Sequence, residues 1–367
     1  MKKKIGILTF HASHNYGSML QAYALSSALE ELGHDVQIIN FRSIPQKMMY
    51  AKPYKYWDIQ NIKGRLLSPS FFIKNIVKWK KFESFMKEEM SLTREINYYV
   101  GIREMILEND YDAVITGSDQ IWNLNCVDFS VGYLLPFKLP CKKIAYAPSM
   151  GQLRCLQMED VELLFKETLS DYTLLSAREK STAEELSHWL NKPVETMPDP
   201  AWLLPVEKYN DISYEKPLVK GKYLFYYSPH NEYEKSSVVY KYARKYGLKA
   251  VCSNATSLPC PGFLNYNNAG PEEFLNLIKN ADMVCGSSMH MIIFSLLFHK
   301  PFLSIQNDQD TRITDLLKIF GLENRIVSED TILAEHNMLE IDWSKVDAII
   351  KGLRLHGVDY LENALNS

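Results

Sequence analysis

Six cysteines in 367 residues, Cys126, Cys141, Cys155, Cys252, Cys260 and Cys285, are too few and too scattered for a disulfide framework. None forms a C-x-x-C pair or stands at zinc-ligand spacing, so neither a redox motif nor a metal site is implied. Scattered thiols in a chain long enough to bury an adequate core point to the reducing cytoplasm. No G-x-G-x-x-G follows the first apolar run, which removes the dinucleotide fingerprint. Long hydrophobic stretches are missing too: Ile292 to Phe298, interrupted by Ser295, falls far short of a membrane span. Met1-Lys2-Lys3-Lys4 begins like a signal peptide, yet only six apolar or small residues precede His11 and no cleavage pattern follows. A net charge of −3 gives no overall bias toward nucleic acid or an anionic membrane. What remains, 46% hydrophobic and 23% charged residues, is the balance of a globular protein of about two domains. The 12% of aromatic residues can serve sugar stacking, although most rings in such a chain pack in the core.

Apolar runs of strand length alternate with helical periodicity. Ile5 to Phe10, then Met19 to Leu32 stopped by Gly33, then Val36 to Phe41 make a βαβ unit, which forces a parallel sheet. Strands are expected again at Ala113–Thr116, Lys143–Tyr146, Tyr172–Leu175 and Val194–Met197. A second half repeats the rhythm with strands at Tyr223–Tyr227, Lys249–Cys252, Met283–Cys285 and Phe302–Ile305. Helices are expected at Glu232–Tyr246, Pro271–Lys279, His290–Phe298 and Trp343–Leu365. The economical architecture is α/β, two Rossmann-like domains with parallel sheets facing across a cleft. The first spans 1–208 with an insert at 42–90, and the second spans 209–340. A helical tail over 341–367 can pack back on the first domain. Tyr209 to Gly221, polar and aperiodic, reads as the linker. Between Arg42 and Lys81 stand ten basic residues and one acid, Asp58, interleaved with Tyr50, Tyr54, Tyr56, Trp57, Phe71, Phe72 and Trp79. This is either a solvated excursion whose aromatics pack down or a surface for peripheral membrane contact and a lipid-linked or anionic saccharide.

Ligands of open parallel sheets bind at the carboxyl ends of the strands, among loops and helix N-termini. The segments just past the expected strands are polar: His11 to Ser18, Gly117 to Asn123, Pro148 to Gly151, Ser176 to Lys180, and Asp199. Gly117-Ser118-Asp119-Gln120-Ile121-Trp122-Asn123 joins a carboxylate, amides and an indole, groups suited to a sugar. Pro198-Asp199-Pro200 is equally a simple turn. In the second half Gly286-Ser287-Ser288-Met289-His290 opens an apolar helix. A histidine beside a helix N-terminus is disfavoured as imidazolium until an anion binds, which suits proton transfer next to a phosphate. A satisfied structural histidine is the alternative.

Taken together, G-I-L-T-F-H-A-S-H-N-Y-G-S-M-L-Q-A-Y-A-L, Y-D-A-V-I-T-G-S-D-Q-I-W-N, K-I-A-Y-A-P-S-M-G, S-A-R-E-K and C-G-S-S-M-H-M-I-I-F-S-L-L-F-H-K-P-F resemble the polysaccharide pyruvyl transferase family, in order from about Lys4 to Arg325. The resemblance implies a GT-B-like fold and transfer of pyruvate from phosphoenolpyruvate onto paired sugar hydroxyls as a cyclic ketal. It also implies that Arg178 binds phosphoenolpyruvate and that His290 is catalytic. Ser288 stands where many members have Arg, and Met291 replaces a usual glycine, so the donor's second anion needs another anchor. Ser287, Ser288, Arg312 and the N–H groups of the His290 helix are the candidates. Asp119 or Asp199 is expected as the partner acid or base. The acceptor would meet Asn15, Tyr16, Gly17, Gln120, Trp122, Asn123 and Ser149. No cofactor or metal and no nucleic acid are called for. A nucleotide-sugar glycosyltransferase and a non-catalytic saccharide-binding relative are the rival readings.

Overall fold

A computed structural model describes residues 1–51, 69–151, 158–229, 233–253, 260–306, 311–333 and 340–367. Tyr54, Tyr56, Trp57 and Cys155 lie outside them. The chain divides into two units, Met1–Ala51 with Glu83–Leu204 and Gly352–Ser367, and Lys52–Phe82 with Pro205–Lys351.

In the first unit, β1 (Lys4–Leu8), α1 (Tyr16–Glu31) and β2 (Asp35–Ile38) form the expected βαβ start. They are followed by α2 (Ile44–Met49), α3 (Pro69–Glu89), which begins in the second unit's segment, α4 (Val100–Asn109) and β3 (Ala113–Thr116). Then come β4 (Lys142–Ala145), α5 (Met158–Leu169), β5 (Ser176–Ala177), α6 (Lys180–Leu190) and β6 (Glu195–Thr196). The sheet runs β2-β1-β3-β4, all parallel, with β5 and β6 as a parallel pair and a bridge from Ile144 to Leu174. Ile5, Ile7, Leu8 and all of β3's side chains are buried, as a sheet covered on both faces requires. The second expected strand stops at Ile38, because the returning segment bridges Ile38 to Leu92 and Phe41 to Ile96 instead of extending the ladder. Asn15 caps α1, its Oδ1 accepting from the N–H groups of Gly17 at 2.9 Å and Ser18 at 3.4 Å. Gly33, at φ 88°, takes the left-handed turn that ends the helix. The segment from Gly352 onward is part of this unit: Tyr360 donates to the Ala145 carbonyl at 2.8 Å and Arg354 Nη2 to that of Leu204 at 2.8 Å.

The second unit holds α7 (Val206–Asp211), β7 (Tyr223–Tyr227), α8 (Tyr233–Lys245), β8 (Lys249–Cys252), β9 (Leu264–Asn265) and α9 (Pro271–Lys279). It continues through β10 (Met283–Gly286), α10 (Met289–Leu297), β11 (Phe302–Ile305), α11 (Thr311–Phe320), β12 (Ile326–Val327) and α12 (Trp343–Asn366), whose last part lies in the first unit's segment. Its six strands run β12-β11-β10-β7-β8-β9 and are parallel throughout. Tyr209–Gly221 is not a free linker. Tyr209 is wholly buried with its ring 5.0 Å from that of Phe294, and Asn276 Nδ2 holds the carbonyls of Tyr214 at 2.7 Å and Lys216 at 3.1 Å. An α/β chain with two parallel sheets is therefore the observed class, as expected. Among the described residues no helix is long and apolar enough to cross a membrane.

Candidate functional site

The carboxyl ends of the first unit's strands are tied together by polar groups. Gln21, wholly buried on α1, donates to Thr9 Oγ1 at 3.0 Å and the Ser18 carbonyl at 2.8 Å, and its Oε1 accepts from Ser118 N–H at 3.3 Å. Thr9 Oγ1 in turn donates to the Ser118 carbonyl at 3.1 Å. Gly117 has to be glycine: at φ 126°, a Cβ there would stand 2.0 Å from the Tyr146 carbonyl oxygen. Beyond it Asp119 adopts φ 66°, and its carbonyl accepts from Ser149 N–H at 2.8 Å. The Asp119 carboxylate accepts from Ser18 Oγ and, at 2.9 Å, from Gln120 N–H. Gln120 and Asn123 share a bond of 2.7 Å, and Ser149 Oγ accepts from Gly151 N–H at 3.1 Å.

At the end of β5, Arg178 is buried between two carboxylates. Nε donates to Glu179 at 3.2 Å and Nη1 to Asp199 at 3.0 Å, all three side chains being under a tenth exposed. Burial alone would push the guanidinium's pKa down; the charges of Glu179, Asp199 and Asp119 outweigh it and raise the value, so the cation persists. Its Nη2 and the Glu179 Oε2 are buried with no hydrogen-bond partner among the described residues, which leaves one donor and one acceptor for a ligand. Asp199 is more than a turn residue: one oxygen caps the turn by accepting from Ala201 N–H at 3.0 Å, and the other holds Arg178.

Three expected acceptor contacts are corrected. Trp122 is 0% exposed, edge-on to Phe165 at 5.8 Å and Tyr172 at 6.4 Å, and its indole N–H donates to the Tyr133 carbonyl at 3.3 Å. It is a core residue and offers no face to a sugar. Tyr16, 1% exposed at the start of α1, is likewise core. Ser149 is also wholly buried and frames the loops rather than facing outward. Asn15 and Gly17 form the helix cap, with Asn15 the more exposed of the two.

In the second unit Gly286 closes β10, where a Cβ would stand 1.8 Å from the Tyr227 carbonyl oxygen. Ser287 Oγ shares a 2.7 Å bond with Ser228 Oγ past β7. Ser288 caps α10 by accepting from Met291 N–H at 3.4 Å, and His290 follows in the first turn, buried. Arg312 sits in the first turn of α11, half-buried, on the helix that follows the neighbouring strand β11.

Sequence reasoning missed a second polar group at the ends of β1 and β2. His14 Nε2 lies 3.2 Å from Glu83 Oε1, and Arg42 Nη1 donates to Glu83 Oε1 and Oε2 at 3.0 and 3.3 Å. Arg42 Nε and His11 Nε2 both lie 3.0 Å from Asn40 Oδ1, and Ser13 Oγ donates to Asp128 at 3.1 Å. Burial pushes the Glu83 carboxyl up, but the hydrogen bonds from His14 and Arg42 and the Arg42 charge bring it down to about 2. Burial lowers His11 to about 4, keeping it neutral. Glu83, Asn40 and Asp128 lie far from His14 in sequence and carry no local signal. Gln21, polar on an otherwise apolar helix face, could have been found. Among the described residues no group of three or more His, Cys, Asp or Glu could hold a metal ion.

A family profile described as polysaccharide pyruvyl transferase matches residues 15–309. No curated protein matches the chain. Among solved structures, UDP-GlcNAc 2-epimerase from Neisseria meningitidis, bound to UDP-GlcNAc, is similar at TM-score 0.57 and 9% identity, covering 100% of this chain and 99% of that one. The Methanocaldococcus jannaschii UDP-GlcNAc 2-epimerase, in complex with UDP-GlcNAc and UDP, is similar at TM-score 0.50 and 12% identity, covering 97% and 100%. At such identities the likeness is one of fold, the GT-B-like class.

Proposed function

Because the chain belongs to the polysaccharide pyruvyl transferase family, we propose that it transfers pyruvate from phosphoenolpyruvate onto paired hydroxyls of a sugar in a polysaccharide or its precursor, closing a cyclic ketal. The match over residues 15–309 carries this reading, and the open Nη2 of buried Arg178 supports it. The enol CH2 carbon takes a proton, the central carbon becomes electrophilic, and a sugar oxygen adds. Phosphate leaves with its C–O bonding pair, and the second hydroxyl adds to the same carbon, its O–H proton passing to the departing phosphate, to complete the ketal. His290 is assigned as the acid, a role typically worth about 10² to 10⁴ in rate. Arg178, through Nη2, anchors one anionic group of the donor. Ser287, Ser288, the N–H groups at the start of α10 and Arg312 are assigned to the other. Gln120 and Asn123 are assigned to the acceptor. Asp119, with both carboxylate oxygens already accepting, is assigned to hold the start of α1 to the loop after β3. Ile44, Met48 and Met49, 43%, 60% and 57% exposed at the head of the basic stretch, favour an acceptor carried on a lipid in an anionic membrane.

The deciding experiment is phosphate release from phosphoenolpyruvate against defined galactosides, mannosides and lipid-linked repeats. Release that needs both donor and acceptor, and that fails in His290→Ala and Arg178→Ala, is expected. Thermal stabilisation by nucleotide sugars, with none from phosphoenolpyruvate, would instead favour the glycosyltransferase reading. Saccharide binding with no phosphate release for any acceptor would favour the binding protein.

A further inference from the structure

Ketal formation also needs a group that takes the proton of an acceptor hydroxyl, and Asp119 is poorly placed to do so. The strand-end group around His14 has the required parts. A carboxylate 3.2 Å from one imidazole nitrogen orients the ring and favours its protonated form, the logic of base and orienting group in nucleophilic and acid–base sites. A structural ion pair would be complete with Arg42 and Glu83 alone. Here an imidazole is added to it, on the loop that opens α1, with its side chain 10% exposed and its ring 5.6 Å from that of Tyr50. Ser13 on the same loop bonds Asp128 and Ser18 in the first turn of α1 bonds Asp119, so the loop is fixed at both ends.

Building on the pyruvyl-transfer reading, we propose that His14 is the base for the acceptor hydroxyl, with Glu83 and Arg42 as its positioning residues. The hydroxyl O–H bond breaks, the proton moves to the imidazole, and the oxygen pair forms the C–O bond to the central carbon of the enolpyruvyl group. The C=C pair takes its proton at the CH2 carbon from the acid assigned above, and the imidazolium then releases its own proton to water. Glu83 faces His14 from α3, Arg42 from the segment after β2, and Tyr50 from the end of α2. Asp128 and Asp119 stand behind Ser13 and Ser18, and neutral His11 lies beyond Asn40. Glu83 stays ionised down to about pH 2, so it serves as a fixed negative charge over the working range.

The test is the pH dependence of kcat in phosphate release from phosphoenolpyruvate, with the full chain and an acceptor from the screen. His14→Gln is expected to lower kcat by about 10² or more while phosphoenolpyruvate binding is retained. Glu83→Gln removes the anion that favours imidazolium. Because the neutral ring is the active form, the acid limb of the profile is expected to move to lower pH by about one unit or more. A purely structural Glu83 would reduce the amplitude and leave the limb where it is, and that result overturns the proposal. So does a His14→Gln enzyme within fivefold of wild type. If His14→Gln melts well below wild type, the Glu83→Gln limb decides alone. A wild-type protein that releases no phosphate with any acceptor refutes the donor reading and removes the base with it. Wild-type turnover that survives His14→Gln refutes the base only.

Discussion

Asp199 holds Arg178 in place, and removing it exposes what the buried cation costs. Arg178 is enclosed by Glu179 and Asp199, with the Asp199 carboxylate 3% exposed. Breaking a buried pair typically costs about 3–5 kcal/mol because a charge is left without its partner. Glu179 still offsets part of that charge, which sets the expectation at the low end, about 3 kcal/mol. Asp199 also caps the turn through Ala201 N–H, a bond worth about 1 kcal/mol. Asp199→Ala is therefore expected to lose about 4 kcal/mol. Asp199→Asn, which keeps an oxygen for Ala201, should lose about 3 kcal/mol. For a unit of this size these correspond to roughly 8–16 °C and 6–12 °C in Tm. Calorimetry on both variants, with urea unfolding to check that the slope is unchanged, measures the effect. An Asp199→Ala protein melting within about 3 °C of wild type, a cost near 1 kcal/mol, would show that Arg178 is not held as a buried pair. The whole account of an anchored guanidinium would then be wrong.

Trp122→Phe loses the bond to Tyr133 and some core volume, so about 2 kcal/mol of stability should go while the acceptor KM stays unchanged, read by unfolding and kinetics. Gly117→Ala and Gly286→Ala force a methyl against carbonyl oxygens 2.0 and 1.8 Å away and should greatly reduce soluble yield. Gly33→Ala and Gly247→Ala, with open space and only a positive φ to oppose them, should cost about 1–2 kcal/mol each by calorimetry. His11, lowered to about 4 when folded, contributes stability that is full above its unfolded value near 6.5 and is lost as pH falls toward 4. Glu83, lowered to about 2, contributes stability present above 4.5 and lost as pH falls further. Urea midpoints across pH 2–8 should thus fall in two stages, with His11→Asn flattening the upper stage and Glu83→Gln the lower.

Elements that advertise themselves locally were legible. The apolar runs at Tyr223–Tyr227 and Met283–Cys285 became β7 and β10, and Pro271 with Lys279 bounded α9 to the residue. The polar ends of the strands were legible too, because a parallel sheet places them on one edge. Direction was not. Trp122 sits among Asp119, Gln120 and Asn123 and reads as part of a sugar-binding loop, yet the loop turns it inward onto Phe165. Tyr209 reads as linker for the same reason: its neighbours are polar, and only contact with Phe294 reveals the burial. The His14–Glu83–Arg42 group was invisible, since 69 positions separate its histidine from its carboxylate and no spacing rule joins them.

The first unit is discontinuous in a way that sets a timetable for synthesis. Its segment Gly352–Ser367 leaves the ribosome only after all of Pro205–Lys351. Until then Tyr360 and Arg354 are absent: the Leu204 carbonyl lacks Arg354, and the Ala145 carbonyl keeps Ser176 Oγ, at 2.8 Å, but lacks Tyr360. The nascent first unit waits, incompletely closed, through the production of an entire second sheet. During that interval the Tyr146 ring lacks its neighbour Tyr360, 6.0 Å away in the finished fold, and apolar surface left uncovered in this way is what chaperones bind. A premature stop anywhere before Tyr360 therefore injures the oldest part of the chain as much as the newest.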